Sequence, residues 1–445
     1  MKFTVKTIGC KVNTYESNKI KQELVDNGFE FIEVANKEKY NSLDFYIVNT
    51  CSVTSIADKK SRQMINQAKR INPNVKVVAI GCLIDSMKIK NSLSEENTEV
   101  IPADILIDNK NKQDVAKILI DKYLSDKGEV ENNKKKTTAK NTQVRAFIKI
   151  QDGCNQFCSY CIIPYLRGRI KSKEKEIVLS EIKEYAASGV KEIVLTGIHL
   201  SSYGIDFENK NYEETGAIKI AQKHLLDLLK DISKISEIER IRLGSLEPRI
   251  IDNDFFDYIL EDELLKNKFC FNFCLSLQSG SDKILKLMNR HYTTKDYELS
   301  CKIIREKVPY ATITTDVIVG FPGETLDDFN ESLEFVKRMR FYNPNIFPYS
   351  RRKGTMADKF DNQLTKDEKH KRCKIMINEC EKITKEIEAE YNKENHDILI
   401  EEIIEENGIK YGIGYTKEYI KKKIEIKETE DKCRESLEKI DFVQD

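Results

Sequence analysis

Val144-Arg145-Ala146-Phe147-Ile148-Lys149-Ile150 leads, four residues later, into Cys154-Asn155-Gln156-Phe157-Cys158-Ser159-Tyr160-Cys161. The first segment has the apolar, β-branched character of a strand. The second places three cysteines at C-x3-C-x2-C spacing, within reach of one metal centre. Four thiolates are the usual set for an iron–sulfur cluster. A cluster held by three keeps one iron open to a substrate or cofactor, which points to catalysis rather than storage. A structural zinc site would need four closed ligands, commonly in paired knuckles. The chain has no second C-x2-C or H-x3-H pair to complete one.

The same strand-then-loop unit recurs downstream. Strands are expected at 192–195, 239–243, 271–277 and 313–319, with helices at 179–188, 282–288 and 326–339. Repeated β/α units over 143–372 predict a full or partial (β/α) barrel, whose active residues lie at the C-terminal ends of the strands. The cysteine run occupies that position after the first strand.

Upstream, residues 1–122 alternate strands at 3–8, 45–48 and 75–80 with helices at 17–27 and 57–70, predicting an open parallel α/β domain. Residues 123–142 are rich in Lys, Asn, Thr and Glu, include Lys134-Lys135-Lys136, and read as a linker or a basic loop that touches RNA. Beyond the barrel, 373–394 is a charged helix. Short strands at 398–404, 410–416 and 419–426 make a small β-module, and 428–445 is a charged helix or tail.

A second cysteine trio emerges from the N-terminal pattern. Cys10, Cys51 and Cys82 each follow one of the three expected strands, and Gly9 and Gly81 precede two of them. Ligands of open parallel sheets bind beyond the carboxyl ends of the strands. A lone free cysteine is most often a core residue, but three in matched positions point to a second three-thiolate cluster. Cys270, Cys274, Cys301, Cys373, Cys380 and Cys433 show no such pattern and read as packing or surface residues.

The chain has 445 residues, enough for two or three domains, and is 40% hydrophobic. Lys+Arg and Asp+Glu both number 74, so the net charge of zero argues against indiscriminate coating of nucleic acid while leaving local basic patches open. No apolar run approaches a membrane span, and the N-terminus lacks a signal-peptide layout. A cytoplasmic protein with no membrane partner is expected, where clustered thiols favour metal or catalysis over disulfides.

The C-x3-C-x2-C run with an aromatic before its last cysteine resembles the radical S-adenosylmethionine (SAM) superfamily. The upstream trio makes the chain similar to the methylthiotransferases, over nearly its whole length and in the same domain order. Gly9-Cys10-Lys11-Val12-Asn13, residues 196–204 and residues 347–355 resemble the branch that converts N6-threonylcarbamoyladenosine (t6A) at position 37 of tRNA to its 2-methylthio form. Other branches act on isopentenyladenosine tRNA or on a ribosomal-protein side chain. A non-catalytic iron–sulfur protein that binds RNA is the third alternative. The C-terminal module resembles the family's RNA-binding TRAM domain, although it is short and rich in Lys and Glu.

The resemblance implies two [4Fe–4S] clusters and SAM as cofactors. Cys154, Cys158 and Cys161 would hold the cluster that binds and reductively cleaves one SAM. Cys10, Cys51 and Cys82 would hold an auxiliary cluster whose sulfur is methylated by a second SAM. It further implies the anticodon stem-loop of tRNA as partner, an electron donor such as flavodoxin or ferredoxin, and a sulfur source. Tyr160 would lie against adenine, Thr196-Gly197 would meet the methionine amino group, Glu247 and Gln278 the ribose or carboxylate, and Gly320 the adenine edge. Each of these isolated polar residues would equally serve as a turn or cap. His199 reads as a polar pocket residue. Arg351, Arg352 and Lys353 would contact tRNA phosphates. Lys59, Lys60, Arg62, Lys69 and Arg70 form either another basic face or a solvated helix surface, and Lys421-Lys422-Lys423 has the same two readings.

Overall fold

The computed structural model describes residues 1–34, 37–92, 100–123, 144–208, 214–392, 396–426 and 443–444. Apart from residue 123, the expected linker with its three lysines lies outside the described residues, as do Cys433 and nearly all of the expected tail. The chain divides into two compact units. One comprises residues 1–139, 153–169 and 350–359; the other comprises 140–152, 170–349 and 360–445.

The first unit is built on five parallel strands, β1 (Lys2–Thr7), β2 (Glu30–Phe31), β3 (Phe45–Thr50), β4 (Lys76–Gly81) and β5 (Ile105–Ile107), in the order β2-β1-β3-β4-β5. Among the described residues six helices accompany them: α1 (Lys11–Asp26), α2 (Lys37–Asn41), α3 (Ser55–Ile71), α4 (Cys82–Ser92), α5 (Val115–Tyr123) and α6 (Ile163–Arg167). Strand alternation divides the apolar residues between two faces. Phe45, Ile47, Val78 and Ile80 pack with Ile20 and Leu24 of α1 and Leu119 of α5. Tyr46, Val48, Val77 and Ala79 pack with Ile65 of α3 and Leu83 of α4. With both faces covered, β3 is buried at every position, as parallel sheets require. This strand order reverses direction between β1 and β3, where doubly wound sheets bind their ligands.

The second unit carries the barrel strands β6 (Arg145–Asp152), β7 (Lys171–Ser172), β8 (Glu192–Gly197), β9 (Arg240–Leu243), β10 (Ser245–Leu246), β11 (Asn272–Leu275), β12 (Thr312–Thr314), β13 (Asp316–Val319) and β14 (Asn345–Pro348). Parallel pairing runs β6-β8-β9, β10-β11-β12 and β13-β14, and β7 adds an antiparallel edge to β6. Bridges at Ile241–Phe269 and Gln278–Val317 continue the curve between these groups, so the barrel is partial. The strand expected over 313–319 is broken at Thr315, whose hydroxyl bonds the Leu275 carbonyl at 2.6 Å and accepts from the Leu277 amide at 3.0 Å.

Helices α7 (Lys175–Ala187), α8 (Glu214–Ser233), α9 (Asn253–Glu261), α10 (Glu263–Lys268), α11 (Asp282–Leu287), α12 (Thr294–Lys307) and α13 (Leu326–Met339) lie between the strands in sequence. Thr293 and Thr325 cap α12 and α13 in reciprocal capping boxes with Asp296 and Asp328. The C-terminal helix α14 (Lys366–Tyr391) begins seven residues before the expected 373, because Thr365 caps it by accepting from the Glu368 amide. Strands β15 (Asp397–Glu406), β16 (Ile409–Tyr415), β17 (Lys421–Glu425) and β18 (Val443–Gln444) form the antiparallel module, ordered β17-β16-β15-β18.

A buried ion cluster joins this module to the barrel. Glu192 opens β8 with no exposure; its carboxylate receives Arg145 Nε at 2.7 Å and Arg242 Nε at 2.9 Å. Arg240 donates to the carbonyls of Tyr415 and Asp397, and Arg242 to that of Lys417. The stacked rings of Tyr415 and Tyr419 lie beneath Arg145. Burial alone would raise the Glu192 carboxyl, but the two guanidiniums outweigh it and hold the group at about 2. These residues start β6, β8 and β9, so the module docks at the N-terminal ends of the strands, opposite the ends where barrel sites form.

Candidate functional site

Three cysteines meet at one edge of the N-terminal sheet. Cys10 precedes α1, Cys51 follows β3 and Cys82 starts α4 directly after β4. Strands β1, β3 and β4 are neighbours, paired through Thr7–Asn49 and Thr50–Gly81. Cys10 is exposed, whereas Cys51 and Cys82 are buried. Gly9 has φ of +109°, and a methyl group there would lie 2.7 Å from Cys51 Cβ and 2.8 Å from its sulfur. Only glycine lets the two strand ends approach this closely. Burial pushes the Cys51 thiol up to about 11; the Val53 amide and Arg167 oppose the rise, and the charges of Cys82 and Cys10 add to it.

A polar floor underlies the trio. Asn13 donates to the carbonyls of Ile8 at 2.7 Å and Thr50 at 3.0 Å, tying the ends of two cysteine-bearing strands together. Arg167, with 2% of its side chain exposed, donates to Asn13 Oδ1 at 2.9 Å and to Glu16 at 3.0 Å. Lys112, 5% exposed, pairs with the same Glu16 carboxylate at 2.5 Å. Its ammonium is depressed by burial and raised by Glu16. The floor therefore gathers Arg167 and Lys112 around one shared carboxylate, Glu16.

The second cysteine run belongs to the same compact unit. A methyl group at Gly153 (φ +67°) would stand 1.9 Å from the Arg169 carbonyl oxygen, so the base of this loop is closed by backbone on backbone. The Cys154 amide donates to Gly168 O at 3.1 Å, and the Cys161 amide to Cys158 O at 2.9 Å. The Gln156 amide points at Cys154 Sγ, 3.4 Å away. Phe157 takes φ of +49°, unusual for a bulky residue, and its ring lies under the Arg169 guanidinium at 4.5 Å. Helix α6 begins two residues after Cys161. Its Leu166 packs with Ile162 against Cys82, and Asn109 bridges the Leu166 carbonyl (3.3 Å) and the Cys82 sulfur (3.6 Å). The helix that follows the second cysteine run thus packs against Cys82 of the first set.

Among the described residues, no group of three or more His, Cys, Asp or Glu side chains is gathered tightly enough for a single metal ion. A four-iron cluster is larger than one ion and needs its thiolates further apart. Converging strand ends, a glycine that a Cβ would block and buried counter-cations fit such a group at the trio. The half-buried Cys154 and Cys161 around buried Cys158 fit one at the loop.

Within the second unit, the other expected residues line strand ends. Thr196 and Gly197 close β8; Gly197 packs so tightly on Gln151 that a methyl would meet its Oε1 at 2.9 Å. Gln151 Oε1 accepts from the His199 amide at 2.7 Å. Glu247 is buried after β10, bonded by Arg249 and facing His199 Nε2 at 3.5 Å. Burial would raise its carboxyl, but His199 and Arg249 hold it at about 2. His199 also shares a 2.6 Å bond with Ser202. Gln278 is buried with φ of +69°, and its backbone bonds Asp316 and Ile318. The Gly320 amide donates to Glu324, which Arg372 also holds.

Tyr160 is half-buried within the cysteine loop. Arg352 is buried: it bonds the Val53 carbonyl and sits 3.7 Å from Asp58. Arg351 pairs with Asp358, and Lys353 is exposed. Asn13, Glu16, Lys112 and Arg167 had no signal as a set. Only Asn13 lies in a quoted motif; Glu16, Lys112 and Arg167 lie in none.

Among the described residues, no helix is long and apolar enough to cross a membrane. The Radical SAM superfamily model matches residues 148–336, and the model of Uncharacterized protein family UPF0004 matches residues 2–102. The chain is 37% identical over 413 residues to threonylcarbamoyladenosine tRNA methylthiotransferase MtaB of Aquifex aeolicus (strain VF5), covering 90% of this chain and 93% of the relative. It is 33% identical over 440 residues to MtaB of Bacillus subtilis (strain 168), covering 96% and 90%. It is 34% identical over 413 residues to tRNA-2-methylthio-N(6)-dimethylallyladenosine synthase of Clostridium tetani (strain Massachusetts / E88), covering 91% and 85%. Among solved structures, it resembles the radical S-adenosylmethionine methyltransferase TsrM from Kitasatospora setae, with a TM-score of 0.51 and 14% identity over 78% of this chain and 74% of that one, a likeness of fold. With relatives this similar along nearly their whole length, the chain belongs to the radical SAM methylthiotransferase family.

Proposed function

We propose that the protein converts t6A at position 37 of tRNA to 2-methylthio-t6A, with SAM and two [4Fe–4S] clusters as cofactors. The observation that carries this reading is that both three-cysteine sets belong to one compact unit, with Leu166 of the helix after the second set against Cys82 of the first. C2 of adenine has neither an acidic proton nor a leaving group, so a polar route has no entry and a radical route is needed. Cys154, Cys158 and Cys161 would hold a cluster with an open iron, which would supply the one-electron chemistry for reductive cleavage of SAM.

The chain's own residues position and shield this chemistry. Cys10, Cys51 and Cys82 would hold the auxiliary cluster, which would supply the sulfur. The Gln156 amide steadies the Cys154 sulfur. Tyr160, Thr196, Gly197, Glu247, Gln278 and Gly320 bind SAM, with the Glu247 carboxylate kept ionised to accept hydrogen bonds. Lys353 and Arg351 offer charge to tRNA phosphate, while Arg352, being buried, braces the segment that presents them. The reaction calls for a one-electron donor such as flavodoxin or ferredoxin and for a sulfur source, both met in the cytoplasm alongside tRNA.

Resemblance to the two MtaB proteins favours t6A over dimethylallyladenosine. Nucleoside analysis of tRNA from a deletion strain tests the choice. Loss of 2-methylthio-t6A with t6A retained is expected; unchanged 2-methylthio-t6A in a strain without a redundant enzyme refutes it. Production of 5′-deoxyadenosine that disappears in Cys158→Ala excludes a non-catalytic role.

A further inference from the structure

Arg167 stands six residues past Cys161, yet its guanidinium is buried in the floor beneath the other cysteine set. It reaches Asn13 Oδ1 at 2.9 Å and Glu16 at 3.0 Å. Asn13 in turn holds the carbonyl of Thr50, the residue before Cys51, and lies close to Gly9, the residue before Cys10. Lys112 approaches from the third strand end: its Nζ lies 3.0 Å from where a Gly81 Cβ would sit, and Gly81 precedes Cys82. Each strand end of the trio therefore has a buried cation or that cation's direct partner at its back. Glu16 is the carboxylate that both cations share.

A buried guanidinium favours negative charge beside it. Three thiolates and a cluster supply that charge, and adding one electron makes the group more negative by one unit. A fixed positive charge nearby favours the reduced form, and a fixed negative charge opposes it, most strongly where water is excluded. Arg suits the role because it stays charged when buried.

We propose that Arg167 and Glu16 are positioning residues that set the reduction potential of the cluster held by Cys10, Cys51 and Cys82, Arg167 raising it and Glu16 lowering it. This rests on the reading that those cysteines hold a cluster. Because Arg167 belongs to the loop of the radical cluster, the same contact makes the auxiliary cluster's potential depend on the seating of that loop.

The test uses the full chain carrying Cys154→Ala, Cys158→Ala and Cys161→Ala, reconstituted anaerobically so that only the auxiliary site is loaded. The midpoint is read by titration with dithionite and mediators, following the cluster's electron paramagnetic resonance signal. Arg167→Gln is expected to lower the reduced-to-oxidised ratio at fixed ambient potential at least tenfold, about 59 mV for a one-electron couple. Glu16→Gln is expected to raise it, and Arg167→Lys to restore most of the Arg167→Gln loss. A merely structural role would move both Gln variants in one direction or neither; either result overturns the proposal. If Arg167→Gln does not fold, Glu16→Gln decides alone, and no rise overturns it. Absence of iron from the parent variant refutes the cluster reading itself and the inference with it, an outcome distinct from a loaded cluster whose potential does not move.

Discussion

Replacing Glu192 by Gln removes the carboxylate shared by Arg145 and Arg242, whose side chains are only 10% and 2% exposed. Arg242 is then left without its anion and Arg145 keeps only the partly exposed Glu401 at 2.6 Å; breaking such a buried pair costs about 3–5 kcal/mol. The acid titration of the pair gives a second figure. An ordinary Glu carboxyl titrates near 4.5 and this one at about 2; at 1.36 kcal/mol per pH unit the difference is worth about 3 kcal/mol. The folded pKa is depressed, so this stability is complete above pH 4.5 and drains away as pH falls toward 2. At pH 3 about 1.4 kcal/mol of it remains. Urea unfolding followed by tyrosine fluorescence reads the effect, since the chain has no Trp and Tyr415 and Tyr419 lie beneath Arg145. At pH 7, Glu192→Gln is expected to unfold at lower urea, and the gap from the parent should narrow below pH 4.5. A loss under about 1 kcal/mol, or a gap that stays constant into acid, would show that the buried pair does not fasten the module.

Other expectations follow from single atoms. Gly9→Ala drives a methyl group into Cys51, so reconstituted protein should fall from about eight irons per chain to about four, while SAM cleavage continues. Gly153→Ala places a methyl on the Arg169 carbonyl; it should empty the other site, and 5′-deoxyadenosine formation should vanish while the auxiliary cluster remains detectable. Cys10→Ala, Cys51→Ala and Cys82→Ala together should leave SAM cleavage largely intact and stop methylthio product, as scored by mass spectrometry of digested tRNA. Thr325→Ala removes the cap of α13 and should cost about 1 kcal/mol in chemical denaturation without altering cluster content.

Periodicity and turn chemistry made much of the architecture legible. The helix over 326–339 matches α13 at both ends because a Thr-x-x-Asp cap precedes it and its apolar stripe is clean. The strands before Cys10, Cys51 and Cys82 were readable because β-branched runs stop at Gly or Asn. The break at Thr315 was not, since the hydroxyl bonds that interrupt the strand involve a residue forty positions away. Helix α14 hides its start in a charged stretch where only Thr365 marks the boundary. Charge was the least legible property. Arg145, Glu192 and Arg242 look like surface residues in a strand pattern, and Arg352 looks like a phosphate ligand, because burial of a charge depends on a partner that sequence separation conceals. Lys112, Glu16 and Arg167 are scattered over 151 positions and become a unit only when the strands assemble.

At the barrel's docking face, Arg240 and Arg242 address the C-terminal module through the carbonyls of Tyr415, Asp397 and Lys417. A carbonyl is the same whatever residue carries it. At these three bonds the barrel reads the path of the module's chain rather than its side chains. The identities of the side chains at Tyr415, Asp397 and Lys417 are accordingly released from these three bonds. Lineages can rewrite those side chains while these three bonds stay the same.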